Sequence, residues 1–590
     1  MTKRKPRRSE AWFNNPADPG MTAIYLERYF NYGLTLEELK TGKPIIGIAQ
    51  SGSDLSPCNR IHVELEKRVR DGIRDAGGIP ISFPVHPIQE TGKRPTAALD
   101  RNLAYLGLVE ILHGYPLDGV VLTGGCDKTV PSQLMAAATV NIPAIMLSGG
   151  PMLDGFYRDR KLGSGAINWE CRERFAAGEI NDDEFVEIVA SAAPSPGHCN
   201  TMGTALTMNS LAEALGMSLP GCAAIPAPYK QRAQMAYYTG KAVVELVDAD
   251  RKPADIMTEA AFKNAIIMNS AIGGSSNAPV HLNAIARHMG IELDMGHWQD
   301  WGYEVPLLVN CQPAGKYLGE SFYKAGGVPA VMAELLRLGL VDDSALNVNG
   351  KGLRENYEAA ENFNSDVIRS VDNALKSKAG FLNMSGNLFD SGIMKTSVIS
   401  ATFYQKYLSN PADPEAFEVR AIVFEGPEDY HTRINDPSLN IDEDCVLIMR
   451  GCGPLGYPGS AEVVNMQPPD ALIARGITML PVIGDGRQSG TSACPAILNT
   501  SPEAAAGGGL AYVCTGDRIR IDLRQRTVNA LVPDAEWEQR KATMTIKQTE
   551  NQTPWQYIYR ESVGQLDRGA CMDFATEYKN LAGKLPRNNH

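Results

Sequence analysis

Apolar runs and helical segments alternate along the first part of the chain. Residues 62–76 have the amphipathic spacing of a helix, and Gly77 and Gly78 end it. A second helix is predicted after Cys126. Four short apolar runs, each ending near a polar or glycine-containing loop, are predicted strands: residues 44–49, 79–84, 118–123 and 142–147. Strand, loop and helix in this order indicate a parallel sheet with helices on both faces.

The pattern changes along the rest of the chain. Over residues 204–380 the apolar residues mostly have the spacing of helices. After about Ala379, short strand-like runs are separated by Gly, Pro and Asp turns. These runs are residues 386–389, 420–424, 445–449, 476–480 and 518–522. The alternation over 518–531 predicts a hairpin with its turn near Arg524. We therefore expect an α/β protein with a parallel-sheet domain over 1–379 and a β-rich, barrel-like domain with flanking helices over 380–590.

Composition narrows the class of protein. At 590 residues the chain is too long for a single core, and 44% apolar with 21% charged residues is ordinary for a globular protein. The net charge of −12 gives no reason to expect nucleic acid as a partner, and no apolar run is long enough to span a membrane. The basic segment 3–8 is expected to be a solvated arm. Eleven dispersed cysteines without a secretion signal favour a reducing cytoplasm.

Three isolated cysteines stand in glycine-rich or polar turns. Cys58, Cys126 and Cys199 are 68 and 73 residues apart, and the chain contains no CxxC pair. Cys58 and Cys126 follow predicted parallel strands, whose carboxyl ends meet at one edge of a sheet. Three converging thiolates could hold an iron–sulfur cluster with one iron position open to substrate, so that the cluster acts as a Lewis acid.

Acidic residues near these cysteines suggest a second, harder cation such as Mg²⁺. Glu90 follows the second predicted strand, and Asp127 and Lys128 follow Cys126 directly. The alternatives are surface carboxylates and a surface lysine at the start of a helix. His198, beside Cys199, is read as a hydrogen-bonding loop residue and not as a ligand.

A serine in a glycine-rich loop is the candidate nucleophile or base. Ser489 lies in Gly484-Asp-Gly-Arg-Gln-Ser-Gly-Thr491, directly after an apolar run. The loop is not GxSxG and no triad order accompanies it, so a hydrolase is disfavoured. A turn-forming or phosphate-binding loop is the alternative. Residues 505–509 lack the Lys-Ser/Thr ending of a P-loop and are read as a packing turn.

Several of these stretches together resemble the dihydroxy-acid dehydratase / phosphogluconate dehydratase family, and within it the sugar-acid dehydratase branch. The matching stretches are residues 47–59, 123–128, 148–152, 197–204, 458–466, 485–491 and 584–590. Residues 488–491 (Gln-Ser-Gly-Thr) depart from the branched-chain dehydratases and agree with the sugar-acid branch. The departure affects the expected substrate and leaves the expected chemistry unchanged.

The resemblance implies cofactors and site residues. It implies a 2Fe–2S cluster held by Cys58, Cys126 and Cys199. It also implies a Mg²⁺ ion with these ligands: Glu90, Asp127, Glu462 and a carbamylated Lys128. Ser489, as an alkoxide, is the implied base, and Thr491 and His590 are the implied substrate contacts. We expect a cytoplasmic homotetramer, a dimer of dimers, in which His590 reaches the active site of a neighbouring subunit.

The implied reaction is dehydration of a sugar acid, a pentonate such as D-xylonate, to the 2-keto-3-deoxy acid. The base takes a proton from C2, and hydroxide, a poor leaving group, departs from C3 with help from a Lewis acid. Two alternatives remain at this point. One is a branched-chain 2,3-dihydroxy-acid dehydratase with the same chemistry, and the other is a non-enzymatic iron–sulfur redox sensor. A sensor would need neither Ser489 nor Lys128.

Overall fold

The computed structural model describes residues 6–546 and 548–588. Its strands form two large sheets and one small hairpin. The strands are β1 Ile45–Gln50, β2 Ile79–Pro84, β3 Gly119–Gly124, β4 Ala144–Ser148, β5 Gly155–Tyr157, β6 Arg160–Leu162, β7 Phe381–Met384, β8 Ser391–Lys395, β9 Ala416–Phe424, β10 Cys445–Met449, β11 Val482–Gly484, β12 Ile497–Ser501, β13 Arg518–Asp522 and β14 Thr527–Ala530.

Helices pack against strands of both large sheets. They are α1 Glu10–Phe13, α2 Pro19–Phe30, α3 Leu36–Lys40, α4 His62–Asp75, α5 Ala97–Gly114, α6 Thr129–Val140, α7 Ala166–Ala176, α8 Asp182–Ser191, α9 Thr204–Ala214, α10 Lys230–Asp248, α11 Pro253–Ile256, α12 Glu259–Ala271, α13 Ala278–Met289, α14 Met295–Gly302, α15 Gly319–Lys324, α16 Gly327–Arg337, α17 Leu353–Tyr357, α18 Ala401–Phe403, α19 Pro427–Arg433, α20 Asp470–Ile473, α21 Asp534–Thr543 and α22 Pro554–Ser562. None of those formed by the described residues has the length and apolar character needed to cross a bilayer.

The first sheet is parallel throughout and has the strand order β2-β1-β3-β4. Every residue of β3 and β4 is buried, so both faces of the sheet are covered. Helix α4 packs with α10, and α5 packs with α6. Because all four strands run in the same direction, the loops after β1, β3 and β4 leave the sheet at the same edge.

The second sheet curls into a nearly closed barrel. Its eight strands lie in the order β14-β13-β9-β10-β11-β12-β8-β7, and a bridge between Ser385 and Thr527 joins the two ends. Side chains such as Val446, Ile448 and Ile521 fill its interior. The predicted fold class, a parallel-sheet α/β part followed by a barrel-like β part, is confirmed.

Two predicted strands are wrong. Residues 386–389 form the turn between β7 and β8, where the Gly386 N–H donates to the Phe389 carbonyl at 2.9 Å. Residues 476–480 are irregular, and pairing in this region begins only at Val482, in β11. Pro481 accounts for the late start, because proline has no N–H to donate to a neighbouring strand.

The last helical segment returns to the first core. Tyr559 and Leu566 pack into the same buried cluster as the parallel sheet. The buried guanidinium of Arg101 donates to the carbonyl oxygens of Gly569 and Ala570 at 2.6 and 2.8 Å. The C-terminal part of the chain is therefore fastened to the N-terminal α/β part by buried polar contacts as well as by apolar packing.

Lys395, the last residue of β8, carries a buried amine. Its side chain is 6% exposed, and Nζ has no hydrogen-bond partner among the described residues. Burial, followed by repulsion from Lys376, lowers the pKa of Lys395 to about 7. Folding near neutral pH therefore either removes a proton from this amine or buries a charge without a counter-ion, and both cost free energy.

We expect Lys395→Met to stabilise the protein, by on the order of 3 kcal/mol at neutral pH if the amine's usual pKa is restored on unfolding. The gain is full below about pH 7 and fades toward about pH 10, because there the unfolded lysine also loses its proton. Calorimetry across this range, with the exposed Lys67→Met as control, measures it. A lower melting temperature of Lys395→Met at neutral pH would contradict the argument.

Candidate active site

The structure brings the three isolated cysteines together. The thiol of Cys58 lies close enough to the thiols of Cys126 and Cys199 to interact with both. Cys58 lies in a short 3₁₀ turn after β1, and Cys126 follows β3. Cys199 comes directly after His198, whose backbone pairs with Pro151 beyond β4. The loops at the carboxyl ends of three parallel strands thus determine where the sulfur atoms meet.

Local contacts fix the Cys58 and Cys126 loops against each other. Asn59 Oδ1 accepts a hydrogen bond from the Cys126 N–H at 2.8 Å. A β-carbon on Gly125 would lie 2.6 Å from the Cys58 carbonyl oxygen, so only glycine permits this approach. The side chain of Gln89 accepts from the Cys58 N–H and donates to Cys58 Sγ, both at 3.1 Å. The backbone that carries the two thiols is therefore held by the side chains of Asn59 and Gln89 and by the close approach at Gly125.

The three thiols do not ionise independently. Contact with Cys126, and then with Cys199, raises the pKa of Cys58 well above its usual value. The same contact from Cys58 lowers the pKa of Cys199. One thiolate is favoured while further thiolates are opposed, because like charges repel at this distance. Three sulfur donors facing one another fit a group that carries positive charge and prefers thiolates, such as an iron–sulfur cluster.

Next to the thiols, three carboxylates surround the buried amine of Lys128. Nζ lies 3.0 Å from Glu90 Oε2, 2.9 Å from Asp127 Oδ2 and 3.1 Å from Glu462 Oε1. Burial, and then Arg487, act to lower the pKa of Lys128, but the carboxylates outweigh both and the pKa lies above its usual value. Cys126 Sγ lies 3.3 Å from Asp127 Oδ1, so the sulfur and carboxylate groups adjoin.

Arg487 and Asn277 complete the carboxylate cluster. Arg487 Nη1 lies 3.0 Å from Glu462 Oε1, and Asn277 Nδ2 donates to the same oxygen at 2.6 Å. Even so, burial raises the pKa of Glu462 to about 7. The three carboxylates, of which Asp127 is buried and Glu90 and Glu462 also border a cavity, outnumber the two fixed cations, so the formal charge of the cluster is negative.

The carboxylate set fits a hard cation. Among the described residues, no three His, Cys, Asp or Glu side chains stand at the spacing of a ready single-ion site, and the Lys128 amine occupies the centre of the carboxylates. Glu90 Oε2 is buried and makes no hydrogen bond, although it lies 3.0 Å from that amine. Once Lys128 no longer carries a positive charge, this oxygen is available to a metal ion. Carbamylation would convert Lys128 from the competing cation into a further oxygen ligand.

Ser489 faces the same region from the barrel. Its loop follows β11, and its N–H donates to Asn465 Oδ1 at 2.9 Å. Ser489 Oγ lies 2.9 Å from Thr491 Oγ1 and 3.3 Å from the Thr491 N. Asn465 also donates to the Glu462 carbonyl at 2.5 Å, so the serine loop and the carboxylate loop are linked through one amide side chain.

A cavity of about 360 Å³ lies between the two sheets' loops. Glu90, Glu462, Ser489 and Thr491 line it, and Trp169 of α7 forms part of its wall. A larger depression of about 810 Å³ lies elsewhere, beside residues 6–16 and 582–585, and contains none of these groups. The smaller cavity is the candidate active site, since the carboxylates and the serine converge there.

Other residues at the site were not expected from the sequence. Gln89, Asn277, Asn465 and Trp169 contact the candidate groups, and of these only Asn465 lies in one of the matching stretches, 458–466, where no role was predicted for it. His198 makes an ordinary loop hydrogen bond, its Nδ1 lying 2.9 Å from the Cys199 carbonyl oxygen. His590 lies outside the described residues.

Residues 43–356 match the N-terminal domain of the Dihydroxy-acid/6-phosphogluconate dehydratase family, and residues 366–570 match its C-terminal domain. The chain belongs to this family. It is therefore a dehydratase, a hydro-lyase. All eleven cysteines of the dehydratase are free thiols.

Similar proteins cover the dehydratase along its full length. It is 59% identical over 592 residues to a D-xylonate dehydratase of Caulobacter vibrioides, covering 100% of this chain and 99% of that protein. It is 42% identical to an L-arabinonate dehydratase of Rhizobium leguminosarum bv. trifolii, over 98% of each chain. A Dihydroxy-acid dehydratase of Caldanaerobacter subterraneus is 36% identical, over 91% of this chain and 95% of the other.

Proposed function

We propose that this dehydratase removes water from a sugar acid, an aldonate such as D-xylonate, to give the 2-keto-3-deoxy acid. The observation that carries the proposal is the cavity wall, which presents Thr91, Thr96, Asn168, Asn465 and Thr491 around the reacting groups. A polyhydroxylated chain can exchange hydrogen bonds with hydroxyl and amide groups such as that of Asn168, whereas an aliphatic chain can make none. The full-length similarity to sugar-acid dehydratases supports the same substrate class.

Two cofactors fit the donor sets. Cys58, Cys126 and Cys199 would hold a 2Fe–2S cluster, and these oxygen donors would hold Mg²⁺: Glu90, Asp127, Glu462 and a carbamylated Lys128. When bound, the two supply Lewis acidity to the departing C3 hydroxyl and to the substrate carboxylate with its C2 hydroxyl.

The chain's own residues position the substrate and move the proton. Ser489 Oγ accepts the C2 proton, and Asn465 keeps the serine backbone in place through its 2.9 Å hydrogen bond. Arg487, buried and paired with Glu462, balances negative charge close to the reacting carbons. Loss of hydroxide from C3 leaves an enol, which tautomerises to the keto acid.

We also propose a cytoplasmic homotetramer, a dimer of dimers in which His590 of a neighbouring subunit contacts the distal hydroxyls of the substrate. Support for the cytoplasm comes from the eleven free thiols, which a reducing compartment preserves. Support for the tail comes from the resemblance of residues 584–590 to the ends of sugar-acid dehydratases.

Anaerobic turnover on a panel of acids tests the substrate class. The panel compares pentonates and hexonates with 2,3-dihydroxyisovalerate, and a keto-acid assay detects the product. We expect the highest kcat/KM on a pentonate. Preference for 2,3-dihydroxyisovalerate would favour a branched-chain enzyme, and a reversible cluster without any turnover would favour a redox sensor.

Removal of the chain end should weaken binding of sugar acids. Deleting Asn588–His590 is expected to raise KM for pentonates while cluster absorbance and oligomeric state stay unchanged, because only contacts to the distal hydroxyls are removed. Steady-state kinetics and size-exclusion chromatography measure both. Unchanged kcat/KM on the best sugar acid would show that the tail has no part in binding.

A further inference from the structure

Trp169 belongs to a small cap over the cavity. Residues 155–192, here called the cap, comprise β5, β6, α7 and α8 and have a separate apolar cluster that includes Leu162, Ile167 and Ile188. Gly165 opens α7 with φ +77°, and a β-carbon there would lie 2.7 Å from Thr491 Cγ2. This glycine lets the cap approach the serine loop directly.

The cap is also tied to the barrel side of the cavity. Gln467 Nε2 donates to the Trp169 carbonyl at 3.3 Å, and Arg172 lies over the indole ring at 5.9 Å. Trp169 Nε1 donates to Thr491 Oγ1 at 3.1 Å. The indole therefore reaches the cavity in one orientation, with its N–H aimed at the threonine hydroxyl.

The direction of these hydrogen bonds follows from their chemistry. An indole N–H can only donate, so Thr491 Oγ1 is an acceptor toward Trp169. The hydroxyl proton of Thr491 is left for another acceptor, and Ser489 Oγ lies 2.9 Å away. Once Ser489 has lost its own proton, only Thr491 can donate in this pair. The Thr491 N–H, which lies 3.3 Å from Ser489 Oγ, also donates to that oxygen.

We propose that Trp169 is a positioning residue that acts through Thr491 on Ser489, orienting the threonine hydroxyl so that it donates to the serine oxygen when that oxygen is negative. The inference rests on the proposed role of Ser489 as the base. Donors fixed in advance toward a developing negative charge stabilise it without reorganisation, and a chain of hydrogen bonds strengthens each member. In this proposal Thr491 has two roles: it lines the cavity, and its hydroxyl stabilises the negative oxygen of Ser489.

Four variants test the relay by steady-state kinetics and by the kinetic isotope effect of substrate deuterated at C2. Thr491→Val removes the hydroxyl and keeps the backbone N–H, and we expect kcat to fall ~10²-fold, the scale for loss of one oxyanion donor. Trp169→Phe keeps a ring but removes the N–H, and we expect a fall of roughly 10-fold in kcat with KM little changed. Thr491→Ser should retain most activity. Trp301→Phe, outside the cavity, is the matched control and should behave as wild type.

The double variant Trp169→Phe/Thr491→Val distinguishes a relay through Thr491 from two independent effects. If Trp169 acts through Thr491, the double variant is no slower than Thr491→Val alone, and the isotope effect rises in both single variants because proton abstraction becomes more rate-limiting. Additive losses, or a rise in KM alone, would make Trp169 merely part of the cavity wall.

If Ser489→Ala itself kept its activity, the base assignment would fail. If Ser489→Ala is inactive but the losses add, only the relay fails.

Discussion

Ser489→Ala should keep its cofactors and lose nearly all activity. We expect kcat to fall by ~10²–10⁴-fold, the range for deletion of a positioned base. The fold should tolerate the change, because within the described part of the chain Ser489 Oγ forms hydrogen bonds to Thr491 alone, and the bond from the Ser489 N–H to Asn465 remains. Iron, sulfide and magnesium contents and the visible spectrum should equal those of the wild type. The measurements are anaerobic kinetics together with metal analysis.

A second readout separates proton transfer from substrate binding. If Ser489 removes the C2 proton, the variant should also stop exchanging that proton with deuterated solvent, while KM changes little. Ser492→Ala, in the same loop but outside the cavity lining, is the matched control and should stay within a few-fold of wild type. A kcat near the wild-type value in Ser489→Ala would remove this serine from the base role.

Much of the fold was readable from the sequence because buried parallel strands are continuous apolar runs bounded by loops. The run at 79–84 coincides with β2, and the run at 445–449 coincides with β10. The failures have local causes. Residues 476–480 have strand-like composition, but Pro481 delays the pairing until Val482. The division of the chain at 379/380 stays a prediction.

Packing across long sequence distances left no signal in the sequence. Tyr559 and Leu566 belong to the first core although more than 400 residues separate them from its strands, and Arg101 fastens that segment through carbonyl oxygens. Every residue has a backbone carbonyl, so the sequence does not show which carbonyl oxygens will accept a hydrogen bond from a distant side chain. The spacing of apolar residues therefore cannot predict such contacts.

The candidate site was predictable where chemistry and loop type coincide. A cysteine or carboxylate at the carboxyl end of a parallel strand is conspicuous, and Cys58, Cys126 and Asp127 were found in this way. Trp169 was not, because a tryptophan in a helix is usually read as a packing residue. Its role in the site depends on the glycine that lets α7 approach Thr491, which is a tertiary feature.

The free cysteines divide into two groups, and this division gives the second large prediction. Three thiols converge, whereas Cys222 and Cys514 lie elsewhere, Cys222 buried beside Arg232 and Cys514 in a loop near Asp517. Only the converging set offers three sulfur donors to one group. Serine replaces a soft thiolate with a hydroxyl that binds iron poorly, so each of the three positions should be indispensable.

We expect Cys58→Ser, Cys126→Ser and Cys199→Ser each to abolish both the visible absorbance of the cluster and the activity. Far-ultraviolet circular dichroism should remain native, because Asn59, Gly125 and Gln89 hold the loops by contacts that mostly avoid the sulfur atoms. Cys222→Ser and Cys514→Ser are the controls and should keep both signals. Iron and sulfide analysis under anaerobic conditions measures the result. Full absorbance and turnover in any of the three variants would exclude that cysteine from the ligand set, and a loss in Cys514→Ser equal to theirs would show that the effect is not specific to the converging thiols.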